Sequence, residues 1–474
     1  MTTTSIPEEL SVTIRGLAVG GTGVGRVTGP ENSPRVGMTA FVPFTAPGEV
    51  VTVRVGEARD RYLNGELTQI VVSSPQRVVA PCRYFGPCGG CDIQHIAYEA
   101  GLAAKQEMIV GAFRAGGLGE VAEHILPIVG GPAYQYRRRV TLHVGSDGKW
   151  GYFRRRSHTL LPVTTCPITV SEIDRFLGQG FSLAGLWPDA QSGPVADLAL
   201  ESGENGLFGV LRFARLPEGA DVNRVSERLQ TFFAGGAVVV AGETVSRFGA
   251  EEVLRRVEGG AATEAADTAE EGPARTAPGM FSQVNSVIND ALVTAVRKAA
   301  RAVNAQTAFD LYAGAGNFGL PLAEDGATVA AVESVKPLVE SGRAEAERRG
   351  VASRVTFVAG TVEQFLLERQ PHPVDFAIAD PPRNGLGRLA TRFTFCPHLA
   401  LLSCDLASAV RDLKTLVGVG WHIESVQPFD MFAQTTNVEL LTLLRRAPET
   451  VRAVPRARPD KKVVRHGAPS KRRA

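Results

Sequence analysis

The apolar positions of the chain change rhythm three times. Residues 7 to 73 carry short β-type runs cut by glycine turns: SVTIRGLA, GGTGVGRV, MTAFVPF, EVVTVRV and LNGELTQIVVS. This spacing predicts a small β-barrel of the oligonucleotide-binding kind. In YEAGLAAKQEMIVGAFRAGG the apolar residues recur near every 3.6 positions, which predicts a helix. From about 126 to 250 the pattern is β-rich again, with YRRRVTLHV, WGYFRRRS and GLFGVLRFA as strands of a second domain. Residues 256 to 278 are poor in apolar side chains and read as a linker. Beyond them strand and helix alternate. A helix from about Ser282 to Val303 precedes strands TAFDLYA, TVAAVE, VTFVAG and VDFAIAD, the rhythm of a doubly wound α/β domain.

Composition narrows the class. With 474 residues, 44% hydrophobic and 21% charged, the chain suits a globular protein of roughly three domains. No run of about 18 apolar residues is present, and MTTTSIPEEL has neither a basic start nor an apolar core. A cytoplasmic location with no membrane partner is expected. The net charge of +2 hides an asymmetry, because Arg452 to Ala474 holds nine Lys or Arg and one acid. The remainder carries about −6, so the basic partner surface is local, and the tail reads as a disordered arm able to touch phosphates or merely to solubilise.

Three motifs bear chemistry. DLYAGAGNFGL, Asp310 to Leu320, ends a strand, turns through Gly314, Gly316 and Gly319, and opens a helix. Such a turn could cradle NAD, a flavin or S-adenosylmethionine, and Glu333 at the end of the next strand is placed to accept ribose hydroxyls. DPPRNGLG places Asp380 at the end of the fourth strand, on the crevice side of the sheet. Cys404 in LLSCDLASAVRDL follows the fifth strand at a strand-to-helix corner, with Ser403 and Asp405 as caps. The helix N-terminus there is expected to lower the thiol pKa. Glu439 opens a final strand after DMFAQTTN. Six cysteines do not suggest a disulfide scaffold; Cys82, Cys88 and Cys91 fall within ten residues, and with Cys166 they offer four sulfurs to zinc or to iron–sulfur.

As an ordered set, GGTGVGRV, VVAPCRYFGPCGGCDIQHIAY, YRRRV, QVN, DLYAGAGNFGL, DPPR, SCD…RDL and FDMFAQTTNVE resemble the TRAM-domain, iron–sulfur RNA uridine C5-methyltransferases, over about residues 7 to 447. The resemblance implies a multidomain α/β protein. Residues 1–75 would be an OB-like TRAM barrel, 76–277 a β-rich central domain with the cluster cysteines and linker, 278–450 a Rossmann-like class I S-adenosylmethionine-dependent methyltransferase domain, and 451–474 a basic tail. It further implies that Cys82, Cys88, Cys91 and Cys166 ligate a [4Fe-4S] cluster, and that Gln283, Tyr312, Glu333, Asp380, Asn317 and Thr361 bind S-adenosyl-L-methionine. Cys404 becomes the nucleophile that adds to C6 of uracil, and Glu439 the acceptor of the C5 proton. A monomer acting on a flipped-out uridine of RNA is expected, with 23S rRNA as the substrate and transfer RNA as the alternative. Tyr136 to Arg139 and Arg154 to His158 would hold the surrounding RNA.

The chain departs from that family at Asp405, where Asn is usual, at Ala433 and Asn437, where Pro and His are usual, and in YRRR. A carboxylate beside Cys404 opposes thiolate formation unless it points away as a helix cap. Rival classes are a cytosine-C5 RNA methyltransferase, which would place a second cysteine where DPPR has none, and an RNA-binding or ribosome-assembly protein with a decayed site. A Rossmann oxidoreductase leaves Cys404 and Glu439 unexplained.

Overall fold

A computed structural model describes residues 8–145, 148–186, 195–255, 274–368 and 372–447. Strands β1 (Glu9–Ala18), β2 (Thr22–Gly29), β3 (Thr39–Pro43), β4 (Val50–Ala58) and β5 (Tyr62–Val72) close into a barrel in the order β1-β2-β3-β5-β4. Alternation decides which side chains fill it: Leu10, Val12 and Ile14 of β1 meet Val27, Val42, Val53 and Leu63 inside. A Cβ at Gly25 would stand 2.2 Å from the Thr13 carbonyl oxygen, so the β1–β2 crossing requires a glycine there.

Helix α1 (Tyr98–Ala115) leads to a seven-stranded sheet. Its strands are β6 (Arg139–Val144), β7 (Trp150–Phe153), β8 (Leu160–Pro162), β9 (Val195–Gly203), β10 (Gly206–Phe213), β11 (Gly235–Val240) and β12 (Glu243–Gly249), ordered β12-β11-β10-β9-β6-β7-β8. Helices α2 (Ser171–Gly178) and α3 (Val222–Gln230) share with it a core built on Phe176, Phe181, Val225 and Phe233. The expected linker ends earlier than its composition suggests. Its last residues form β14 (Ala274–Thr276), paired antiparallel with β13 (Val253–Arg255). Leu254 and Arg275 face each other in that ribbon, a long-range pairing that local polarity does not reveal. The rest of the linker, 256–273, and the basic tail lie outside the described residues.

The third unit holds a seven-stranded sheet. Helix α4 (Ser286–Ala302) starts four residues later than expected, because the Asn285 side chain accepts from Ile288 N at 3.3 Å as its N-cap. Then come β15 (Thr307–Leu311), α5 (Gly319–Glu324), β16 (Thr328–Glu333), α6 (Lys336–Arg348), β17 (Val355–Ala359), α7 (Val362–Glu368), β18 (Phe376–Ala379), β19 (His398–Ser403), α8 (Leu406–Gly418), β20 (His422–Phe429) and β21 (Glu439–Arg445). The order is β17-β16-β15-β18-β19-β21-β20, with β15 to β19 parallel and β21 inserted antiparallel between β19 and β20. Two apolar cores flank this sheet. Among the described residues, no helix is long and apolar enough to cross a membrane.

All three units meet at the loop between β20 and β21. Asp430, fully buried, accepts from Lys105 Nζ of α1 and from Tyr98 OH at 2.8 Å. Asp92 N and Ile93 N, beside Cys91, donate to Gln434 O at 2.8 and 3.1 Å. Tyr136 OH donates to Ala433 O at 2.8 Å, and Gly20 N of the barrel donates to Thr436 Oγ1 at 2.8 Å. Burial lowers the Lys105 pKa, and the Asp430 carboxylate opposes that shift. Asp430→Ala strands a cation that is 1% exposed, and is expected to cost about 3–5 kcal/mol, read as a fall in the denaturant midpoint. An unchanged midpoint would contradict the burial of this pair.

Candidate active site

The strand ends of the third sheet gather the chemistry. Backbone pairing of Ser403 with Leu440 sets Cys404, just past β19, beside Glu439, the first residue of β21. Asp380 follows β18, whose Ala379 pairs with Leu401 of β19. Asp310 lies on β15 and Glu333 ends β16, so five functional groups share one rim. The Glu333 carboxylate accepts from Gly314 N at 3.0 Å, from Val335 N at 2.7 Å and from Ser334 Oγ at 3.1 Å. Nothing stands within 4 Å of the Cβ that Gly314 lacks, so the glycine turn faces open space. Tyr312 takes a φ of 66°, the left-handed region that a tyrosine rarely adopts.

Electrostatics at this rim are dominated by buried acids. Burial raises the Asp380 carboxyl to about 7. Asp310 also reaches about 7, through burial and then the charges of Asp380 and Glu333. Burial and Asp380 push Glu439 far above the usual carboxylate range, and its Oε1 is buried without a partner. The Cys404 thiol is pushed up to about 11 by burial first, then by Glu439 and Asp380, while Arg383 of DPPR lowers it. This corrects the expectation of a thiol acidified by its helix. In the free protein, desolvation and two carboxylates outweigh the helix N-terminus.

Asp405 turns away from the thiol. Its side chain accepts from Ser408 N at 2.8 Å as the N-cap of α8, so the unusual carboxylate is spent on the helix backbone. Ser403, the other expected cap, ends β19 instead. One turn further, Asp412 accepts from Leu386 N and Gly387 N at 2.6 and 3.1 Å, and Ser408 Oγ donates to Arg383 O at 2.8 Å. These bonds pin DPPRNGLG to α8, and the RDL of the motif is the clamp. Sequence reading missed the roles of Asp310, Arg383 and Asp412, although all three lie inside the quoted motifs.

The remaining expected residues are scattered in quality. Asn317 and Asn289 exchange side-chain hydrogen bonds at 3.0 and 3.1 Å, and Gln283 is half-buried just before α4. Thr361 and Gln364 form a reciprocal capping box at 3.1 Å, which takes up the Thr361 hydroxyl and N–H. Tyr136 is buried against Ala433, and Arg155 bonds Cys91 O at 2.5 Å and Asp92 at 2.9 Å, so both serve the interior rather than a nucleic-acid face. Arg154, Arg156 and His158 are exposed. Cys82, Cys88, Cys91 and Cys166 are free thiols that sense one another: Cys91 is pushed up to about 12 by burial and then by the other three. Among the described residues, however, no group of three or more His, Cys, Asp or Glu is arranged to hold a metal ion.

Comparison with known proteins bears on this geometry. Residues 6–68 match the TRAM domain, and residues 273–447 match the family described as tRNA (uracil-5-)-methyltransferase. An RNA methyltransferase of Gloeobacter violaceus, itself uncharacterized, is 31% identical over 93% of this chain and 97% of its own length. The 23S rRNA (uracil(1939)-C(5))-methyltransferase RlmD of Pectobacterium atrosepticum is 30% identical over 92% of this chain and 93% of its own. The solved tRNA (uracil-54, C5)-methyltransferase of Pyrococcus abyssi, 23% identical, superposes with a TM-score of 0.67 over 92% of this chain and 99% of that one. The chain therefore belongs to the TRAM-containing RNA uracil-C5-methyltransferases, enzymes that use S-adenosylmethionine.

Because Asp380 titrates near 7, it is charged at pH 9 and holds the thiol proton in place. Asp380→Asn removes that charge, and the midpoint of Cys404 alkylation by iodoacetamide, followed by peptide mass spectrometry, is expected to move down from about 11. A midpoint that stays put would show the two groups to be uncoupled.

Proposed function

We propose that this chain methylates C5 of a uridine in RNA through a covalent adduct between Cys404 and C6. The reading is carried by the adjacency of Cys404 and Glu439 at paired strand ends, with one Glu439 oxygen buried and unpartnered beside the thiol. S-adenosyl-L-methionine, when bound, supplies an electrophilic methyl group on a sulfonium. The open turn at Gly314 and the carboxylate of Glu333 fit its nucleoside, and Gln283, Tyr312, Asn317, Thr361 and Asp380 complete the proposed binding set.

At rest Cys404 keeps its proton at neutral pH, and Asp380, the neighbouring carboxyl raised to about 7, is the group that takes it, which leaves Glu439 for the C5 proton. The thiolate adds to C6, and the electrons of the C5=C6 bond move into an enolate. C5 would then take the methyl group, its bond to the sulfonium breaking as the bond to C5 forms and leaving a neutral thioether. Glu439 removes the C5 proton, the Sγ–C6 bond breaks, and the ring double bond returns with the thiolate released. Burial of Glu439 serves this step, because a carboxylate out of water is a stronger base.

For the RNA, the matched family model supports transfer RNA, since it bears that name over residues 273–447, which include Cys404 and Glu439. The second reading, 23S rRNA, is favoured by the relatives named RlmD, such as that of Pectobacterium atrosepticum at 30% identity. Cys82, Cys88, Cys91 and Cys166 are read as holders of a [4Fe-4S] cluster, which would staple their loop to the central sheet. The electrostatic coupling among these four free thiols supports it.

Cys404→Ala is expected to abolish methyl transfer, and Glu439→Gln to slow it by roughly 10²–10⁴-fold, measured with radiolabelled S-adenosylmethionine. Unchanged turnover in Cys404→Ala would remove the mechanism. Mass spectrometry of RNA from a deletion strain decides the substrate: loss of 5-methyluridine from transfer RNA supports the first reading, and loss from 23S rRNA alone replaces it with the second. Iron and acid-labile sulfide in the purified protein support the cluster, whereas zinc would contradict it.

A further inference from the structure

Between the barrel and the cysteine loop lies a cavity of about 570 Å³ whose lining has no part in the reaction described above. Phe44, just after β3, forms one wall; Phe85 and His95 form another, and Val78 to Ala80 a third. Phe44 and Phe85 meet edge to face at 5.7 Å, and Phe85 lies tilted over His95 at 5.4 Å. The Arg155 guanidinium sits 5.3 Å from the Phe44 ring centroid. His95, 4% exposed, has its Nε2 3.1 Å from Thr45 O, and its Nδ1 is buried without a partner. Val79, at the rim, is 93% exposed.

These features select an occupant. Aromatic faces are what unstacked bases lie on in single-stranded RNA. With Nε2 donating to Thr45 O, Nδ1 offers a lone pair to an N–H donor, which a base edge carries and a purely apolar ligand lacks. Phosphate is a poor fit. Arg77 is committed to Glu49 and to Phe44 O, and Arg155 to Asp92 and Cys91 O, so both cations are already neutralised or bonded.

A short path along the chain connects the cavity to the reaction centre. Ile93 N donates to Gln434 O, so two residues separate that contact from His95 and five separate it from Glu439. Full extension of those seven positions spans at most about 25 Å, to which the hydrogen bond between the two segments adds about 3 Å. We propose that this cavity binds a second unpaired nucleobase of the RNA whose uridine is methylated, stacked on Phe44 with the nearly perpendicular Phe85 ring at its edge and its amino group donating to His95 Nδ1. The inference rests on the proposed reaction: a base held here fixes the strand on both sides of the junction and helps present the target flipped out.

The test uses the full-length holoenzyme and RNA purified from a deletion strain. Val79→Glu places a charge at the mouth without touching the interior, and Phe44→Leu removes one stacking face. Each is expected to raise KM for RNA roughly tenfold, with kcat within about twofold and binding of S-adenosylmethionine unchanged. Ultraviolet crosslinking of wild-type enzyme to the same RNA should mark Phe44, Phe85 or Val79. Wild-type turnover with an unchanged KM in Val79→Glu, or crosslinks that avoid these residues, would overturn the pocket. A wild-type enzyme that methylates neither transfer RNA nor 23S rRNA instead rejects the proposed reaction, which keeps the two failures distinct.

Discussion

The antiparallel hydrogen bonds between β19 and β21 are the constraint on which the site depends. A parallel strand in that position would bring its C-terminal end to the rim. Because β21 runs the other way, its first residue stands beside the last turn of β19, and Glu439 meets Cys404. A one-residue slip in this register would send Glu439 to the opposite face of the sheet. Leu440 and Leu444 pack on one face of β21 and Leu441 on the other, so both faces of the strand are buried.

What delivers β21 to that place is the loop before it. Residues 430–437 are gripped by α1 through Lys105, by the central unit through Tyr136, by the cysteine segment through Asp92 and Ile93, and by the barrel through Gly20. The barrel turn can approach because Gly21 has no Cβ; one would lie 2.4 Å from that of Asp92. The barrel, the central unit and the unit that carries the carboxylate are therefore joined at one loop. Gln434 holds a φ of 66° there, a strained conformation maintained by the contacts its carbonyl makes with the cysteine segment.

Much of this was legible in the sequence. The strand–helix rhythm showed the α/β unit, and the short alternating runs showed the barrel, because both periods reflect which side chains are buried. The rim residues Glu333, Asp380, Cys404 and Glu439 stood in quoted motifs at predicted strand ends. The thiol's acidity was misread, since a local view sees the helix N-terminus but not Glu439, 35 positions away, or the burial between them. Lys105 was illegible for a related reason: in an amphipathic helix a lysine reads as surface, and only Asp430, 325 positions on, explains its burial. Asp405 resolved the other way, as a cap that local grammar had already offered.

The proposed reaction requires Cys404 to bond covalently to the uracil ring. RNA in which uridine is replaced by 5-fluorouridine tests it most directly, because Glu439 cannot remove fluorine from C5 and the reaction halts before the Sγ–C6 bond breaks. With S-adenosylmethionine present, a denaturation-resistant complex is expected whose digest carries a methylated fluorouridine nucleotide on the peptide containing Cys404. No complex, or a nucleotide attached to any other residue, would contradict it.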